Sequence, residues 1–307
     1  MEHWKKQWTP LMPKNVAEVL ERLDDDAPLL EIRLRRDAPL ELVFDGADRI
    51  VYGNNGTSMI SSEDLRQLTA RLTSYSAYAW ENERRDGFIT VGGCRVGLSG
   101  RMVRTEGNVL GFSNVSGVCV RIVREVKDCA KPLVPHLLDR DTFLSAILVS
   151  PPGCGKTTLL RDLIRINSNG LYGARASRVG VADERFELSG DASGAIAFDL
   201  GMRTDVISGI SKADAMVRIV SALSPDILAM DELNDAKDAA ALLDARGKGV
   251  TVLATAHGAS VEELHLRPSI RMLLREHVFE RIVIIGGVGR YVAVYDGCGA
   301  RIDDVRQ

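Results

Sequence analysis

AILVSPPGCGKTTLLRDLIR, Ala146 to Arg165, is the stretch that decides the fold. Ala146 to Ser150 is an apolar run of buried-strand length, and Lys156 to Ile166 carries leucines and isoleucines at helical spacing. The proline- and glycine-containing turn between them completes a strand–loop–helix succession, the setting of a phosphate-binding loop. The pattern G-x-x-x-x-G-K-[ST] is met at Gly155, Lys156 and Thr157, with Ser150 where the first glycine usually stands and Gly153 supplying flexibility. Backbone N–H groups of such a loop and the N-terminus of the next helix form an anion cradle. We therefore assign Ser150, Pro151, Pro152, Gly153, Cys154, Gly155, Lys156, Thr157 and Thr158 to a nucleoside triphosphate, expected to be ATP, with Mg²⁺. Lys156 is expected on the β- and γ-phosphates and the Thr157 hydroxyl on the metal. Cys154 reads as a small residue that fits the turn.

Downstream, apolar runs alternate with amphipathic helices. RVGVAD (Arg178 to Asp183), ILAM (Ile227 to Met230) and VTVLAT (Val250 to Thr255) read as strands. Ala213, Met216, Val217, Val220 and Leu223 form one helical stripe, and Ala239, Ala240, Leu242 and Leu243 another. This alternation predicts an α/β domain with a mostly parallel sheet covered on both faces, of the RecA-like P-loop type. ERIVIIGG and RYVAVYDG, separated by Val288-Gly289, read as a closing antiparallel hairpin. One helix is expected between His257 and that hairpin.

Upstream the pattern is α+β. KNVAEVLERL reads as a helix, LEIRLR and LELVF as strands, and Ser61 as the cap of a helix carrying Leu65, Leu68 and Leu72. Gly87 to Arg104 is strand-like and glycine-rich, with turns or bulges at Gly92-Gly93 and Gly100, and VCVRIVRE (Val118 to Glu125) is a further strand. Pro132 and Pro135 suggest a linker, so the expected domains are 1–130 and 131–307.

Four further signals carry chemistry. ILAM delivers Asp231-Glu232 to the carboxyl end of a strand, where ligands sit in open α/β sheets, 74 residues after Thr157 (231 − 157). Asp231 is assigned to the Mg²⁺ shell and Glu232 to a general base that polarises the attacking water. Asp183-Glu184-Arg185 also ends an apolar strand. Glu184 competes with Glu232 for the base role, and an ion pair with Arg185 is its structural alternative. His257 ends the VTVLATAH run and is assigned a γ-phosphate or subunit-contact role. Charge developing on the γ-phosphoryl group needs a cation besides Lys156 and Mg²⁺. Arg203, in GMRTDV, and Arg121 and Arg124, just before the linker, are the candidates, supplied by domain closure or by a neighbouring subunit.

Composition narrows the class. Net charge is −3 and aromatics are 5%, so neither a basic stripe nor a stacking platform for nucleic acid is evident. The five cysteines include no C-x-x-C pair and their number is odd, which fits a reducing compartment rather than a disulfide framework. No apolar run approaches a membrane span, and the first residues lack the apolar core of a signal peptide.

Taken together, YAWENERRDGFITVGGCRVGLSGR, SNVSGVCVRIVREV, SPPGCGKTTLLRDLIR, VADERFELSG, GMRTDVISG, SPDILAMDEL and TVLATAHG resemble the stage III sporulation protein AA family, relatives of the hexameric ATPases of type II secretion, type IV pili and type IV secretion. The resemblance implies that the Asp183-Glu184 segment matches the family's acidic box and His257 its histidine box. It also implies a homo-oligomer, a hexamer by analogy, whose N-terminal domain packs against the nucleotide of its own or a neighbouring subunit. By the same resemblance the chain acts in the mother cell of endospore-forming bacteria. There it powers a secretion-like channel around the forespore, held at the membrane by protein partners rather than by direct insertion. Two other readings share the same motifs: a nucleic-acid-dependent RecA-like ATPase, and a nucleotide-gated scaffold that does not turn over.

Overall fold

The computed structural model describes residues 3–24, 29–44, 47–51, 59–73, 87–91, 94–105, 108–122, 125–190, 198–287 and 290–303. The chain divides into two compact units, Met1–Arg124 and Glu125–Gln307.

In the first unit, helices α1 (His3–Trp8), α2 (Lys14–Glu21) and α3 (Ser62–Leu72) accompany one antiparallel sheet. Its strands are β1 (Leu29–Arg35), β2 (Leu40–Phe44), β3 (Ala47–Val51), β4 (Phe88–Val91), β5 (Cys94–Thr105) and β6 (Asn108–Arg121), in the order β3-β2-β1-β6-β5-β4. Alternation in LEIRLR puts Ile32 and Leu34 inside, where they pack with Trp8, Leu20, Leu42, Leu65 and Leu68. Ser61 caps α3 reciprocally: its Oγ accepts the Asp64 N–H (3.1 Å) and the Asp64 carboxylate accepts the Ser61 N–H (2.9 Å). The run starting at Val118 is the end of the 14-residue strand β6, not a separate strand. β5 shifts register against β6 at Gly100, where a Cβ would lie 2.0 Å from the Asn114 carbonyl oxygen. Gly92-Gly93 lies outside the described residues.

The second unit opens with α4 (Val134–Leu137) and the two-residue strands β7 (Leu138–Asp139) and β8 (Thr142–Phe143). Then come β9 (Ala146–Ser150), α5 (Lys156–Asn169), β10 (Val179–Asp183), β11 (Thr204–Ser208), α6 (Lys212–Ala222), β12 (Ile227–Met230), α7 (Ala236–Gly247) and β13 (Thr251–His257). Helices α8 (Val261–Leu266) and α9 (Pro268–Arg275) and strands β14 (Arg281–Gly287), β15 (Arg290–Asp296) and β16 (Arg301–Asp303) complete it. The sheet order is β11-β10-β12-β13-β9-β14-β15-β16. Strands β11 to β14 in that order pair in parallel, and β14-β15 and β15-β16 pair antiparallel.

The strand period of two explains the covering on both faces. Ile147 and Val149 of β9 enter one core with residues of α6, α7, α8 and α9, while Ala146 and Leu148 enter another with Leu159, Leu160 and Leu163 of α5. Each fully buried leucine stabilises the unit by about 1.5–3 kcal/mol relative to exposure.

Three local readings change. The segment after His257 holds two helices, because Pro268 begins a new one. TDVIS forms β11, which the sequence left inside a loop; its five residues are half-buried or exposed and lack an apolar signature. Residues 125–130 belong with the second unit rather than the first. Ala130 and Leu133 lie in the α5 core, Asp162 accepts the Ala130 N–H at 2.9 Å, and Arg165 pairs with both Asp162 and Asp128. Prolines mark where a chain bends, and this one bends after it has already docked.

Candidate functional site

The site is built at the carboxyl ends of β9, β10, β12 and β13. Gly153 and Gly155 adopt φ of 78° and 85°, a left-handed backbone that explains glycine at both positions. Ser150, at the place of the usual first glycine, is still in β9, in register with His257 of β13. Extended backbone needs no glycine, so serine fits there without strain.

Lys156 starts α5 and is buried. Its ammonium donates to the Ser150 carbonyl (2.9 Å), the Pro151 carbonyl (2.9 Å) and Ser150 Oγ (3.1 Å), and lies 3.2 Å from His257 Nδ1. Burial pulls its pKa below the usual lysine value, against the opposing field of Asp231. An ammonium can only donate, so His257 Nδ1 accepts and the ring proton sits on Nε2. That nitrogen lies 3.2 Å from Glu232 Oε1. Lys156, His257 and Glu232 thus form one chain from the phosphate loop to the acidic pair.

The neighbouring chain joins two hydroxyls through Asp231. Thr157 Oγ1 donates to Asp231 Oδ2 at 2.6 Å, and Thr255 Oγ1 donates to Asp231 Oδ1 at 2.5 Å. The Glu232 N–H donates to Thr255 Oγ1 at 2.8 Å. Thr157 and Asp231 are hard oxygen donors side by side, which suits Mg²⁺ held by few protein ligands together with phosphate and water. Among the described residues no three His, Cys, Asp or Glu side chains converge into a self-sufficient metal cage.

Glu232 has a left-handed backbone, φ 57°, uncommon for a residue with a side chain. Burial raises its pKa, but the Asn234 hydrogen bond and the charges of Lys212 and Arg185 oppose it, and the carboxyl lies below the ordinary glutamate value. Glu184 is exposed and lines the same cleft as Asp231 and Glu232, and it makes no ion pair with Arg185. Asp183 is buried and structural. It accepts the N–H groups of Glu187, Leu188 and Ser189 and the Ser189 hydroxyl, which shapes the loop that presents Glu184.

The arginine assignments fare differently. Arg203 is not part of its own chain's site. It precedes β11, and its carbonyl accepts the Val179 N–H at the start of β10, so it stands at the amino end of the sheet. A five-residue strand separates the two ends by roughly 16 Å. Its guanidinium donates to the Ser168 carbonyl (3.1 Å), and its N–H to Ser168 Oγ (2.7 Å). It pins the loop to the end of α5. Arg121 ends β6 and pairs with Glu31 at 3.5 Å; Arg124 lies outside the described residues. Sequence reasoning missed Lys212, Thr255 and the location of Arg185 in the Glu232 cleft, because each is an ordinary residue until the strand register brings it to the acidic pair.

Comparison with solved structures finds the same fold in a pilus retraction motor and in an ATPase. The pilus retraction motor PilT with bound ADP superposes with a TM-score of 0.59 at 19% identity, covering 91% of this chain and 80% of that one. The ATPase DotB of Legionella pneumophila gives 0.57 at 14% identity, covering 84% and 72%. In sequence the chain is 33% identical over 295 residues to stage III sporulation protein AA of Bacillus subtilis (strain 168), 94% of each chain. Residues 2–302 match the family described as "Sporulation stage III, protein AA", and the chain belongs to that family.

Proposed function

We propose that this chain is a Mg²⁺-dependent ATPase with a RecA-like motor domain, powering a secretion-like channel between mother cell and forespore as a homo-oligomer, a hexamer by the family resemblance. The observation that carries the reading is the convergence of Lys156, Thr157, Asp231, Glu232 and His257 at the carboxyl ends of three strands, joined by contacts of 2.6–3.2 Å. No chance glycine turn brings that set together. The backbone of Gly153 to Thr158 would bind the phosphates, and Thr157 and Asp231 would hold Mg²⁺, which neutralises charge on the β- and γ-oxygens. Glu232, kept ionised by its neighbours, would take the proton of the attacking water, with Glu184 on the open side of the same cleft. His257 orients Glu232 through Nε2.

The charge balance supports a motor over a nucleic-acid-dependent ATPase, and the complete acidic pair supports turnover over a scaffold. Among the described residues no helix is long and apolar enough to cross a membrane, which favours attachment through protein partners. Among the described residues, Arg203 stands at the far end of its own sheet, so a further cation on the γ-phosphate would come from a neighbouring subunit and activity should depend on assembly. Phosphate release per chain, measured in Mg-ATP over a wide dilution series alongside particle mass, should rise with concentration as the oligomer forms. A constant rate from a proven monomer contradicts the assembly part of the reading.

A further inference from the structure

A largely enclosed lysine outside every motif touches the acidic pair. Lys212 is the first residue of α6, directly after the Ser211 cap that follows β11. Its ammonium donates to the main-chain carbonyl of Glu232 and lies 3.4 Å from Asp238 Oδ2 on α7. The side chains of Lys212 and Asp238 are 11% and 5% exposed. Burying an ion pair is costly unless the geometry gives something in return, so the pair needs an explanation. Packing alone does not supply one, since an apolar side chain would fill the same space more cheaply.

The target of the ammonium supplies it. Glu232 is the one residue of the site held in the left-handed region without being glycine. Such a backbone persists only where the surroundings over-determine it. Three contacts do so here: the Glu232 N–H on Thr255 Oγ1, the Leu233 N–H on the Thr255 carbonyl, both at 2.8 Å, and Lys212 on the Glu232 carbonyl. The first two tie the chain to β13. The third comes from the β11–α6 junction, and Asp238 Oδ2 stands 3.4 Å from the same ammonium.

We infer that Lys212 is a positioning residue that locks the peptide after Glu232, so that the direction of the Glu232 carboxylate depends on where the edge strand β11 and the start of α6 stand. The consequence rests on the proposed function: Lys212 does not touch the phosphates and acts through Glu232.

The test is Lys212→Met, which keeps length and removes the charge. Its crystal structure should show the Glu232 carbonyl turned away and φ displaced from 57°. An unchanged Glu232 backbone overturns the inference whatever the kinetics show. In Mg-ATP, the variant should lose about 10²-fold in kcat, the usual share of a positioned base, with nucleotide affinity within about twofold of wild type. On a Glu232→Gln background the same substitution should cost nothing further, because the group it positions is already gone. Equal losses in both backgrounds would mean a general defect of α6 and overturn the inference. If Lys212→Met does not fold, Lys212→Gln carries the same structure and the same cycle. A wild-type chain with no Mg-ATP hydrolysis refutes the proposed function, and the Glu232 backbone in the variant still decides the role of Lys212.

Discussion

The two ends of the eight-stranded sheet are both rich in charge, and they use it differently. At the carboxyl ends, Lys156, Asp231, Glu232 and Lys212 are buried or half-buried and linked across strands, each touching a group from another element. At the amino ends, Arg178 and Asp226 pair in solvent, with a hydrogen bond of 2.9 Å and side chains 58% and 47% exposed. Arg203 holds only a carbonyl of α5 there. Exposed pairs contribute little and are screened by water and salt. Buried ones are retained at a desolvation cost, and those at the carboxyl ends converge on the acidic pair. Burial of charge, rather than its abundance, distinguishes the working end of the sheet.

Substitutions at the two ends of the sheet should differ sharply in effect. Glu232→Gln should slow hydrolysis by roughly 10²–10⁴ while leaving Mg-ATP binding in place, and Glu184→Gln should do less. Steady-state rates with a fluorescent-nucleotide titration read both, and the reverse ranking would move the base to Glu184. Because the Glu232 pKa is depressed, its base form persists as pH falls through the ordinary glutamate range. The wild-type rate should then fall off at lower pH than an ordinary glutamate base would dictate, as far as this group is concerned, which a pH–rate profile reads.

At the amino ends the effects shrink. Arg203→Ala should change the activity of its own site by less than about threefold, since roughly 16 Å separate the two ends. A folded but inactive Arg203→Ala chain would instead place this arginine at a neighbour's nucleotide, and mixing it with Lys156→Ala chains would then restore activity. Arg178→Ala should cost little stability and nothing in rate, because the pair is exposed to solvent. Chemical denaturation of the two proteins measures it. A larger loss would mean that the exposed pair holds β10 and β12 in register.

What was legible in the sequence follows from how the information is packed. Ser150 to Thr158 lies in one continuous stretch, with strand, loop and helix adjacent, so its chemistry can be read without a fold. Asp231-Glu232 and His257 each end an apolar strand, and a shared strand end suffices to group them. The sequence puts Arg203 on a loop between sheet elements, and only the short strand β11 shows at which end of its own sheet it stands. Without β11 nothing says which end of the sheet a GMRTDV arginine occupies. Lys212 was invisible for the same reason, being a lone lysine on an amphipathic helix until the β10–β11 register fixes the start of α6. The charged residues of LLRDLIR look like a solvent face. Arg161, Asp162 and Arg165 are buried, and the Arg161 guanidinium stacks 4.1 Å from the Phe198 ring while donating to the Glu187 carbonyl at 3.0 Å. Helical periodicity cannot show that both faces of α5 are covered.

The proposed function requires the phosphate loop to turn over ATP. Phosphate release by the purified chain in Mg-ATP, compared with Lys156→Ala, tests it most directly. Lys156 is the cation of the loop itself, and removing it should lower the rate by about 10²–10³-fold or more and weaken nucleotide binding, with the fold intact. Equal rates from the two proteins would contradict the account.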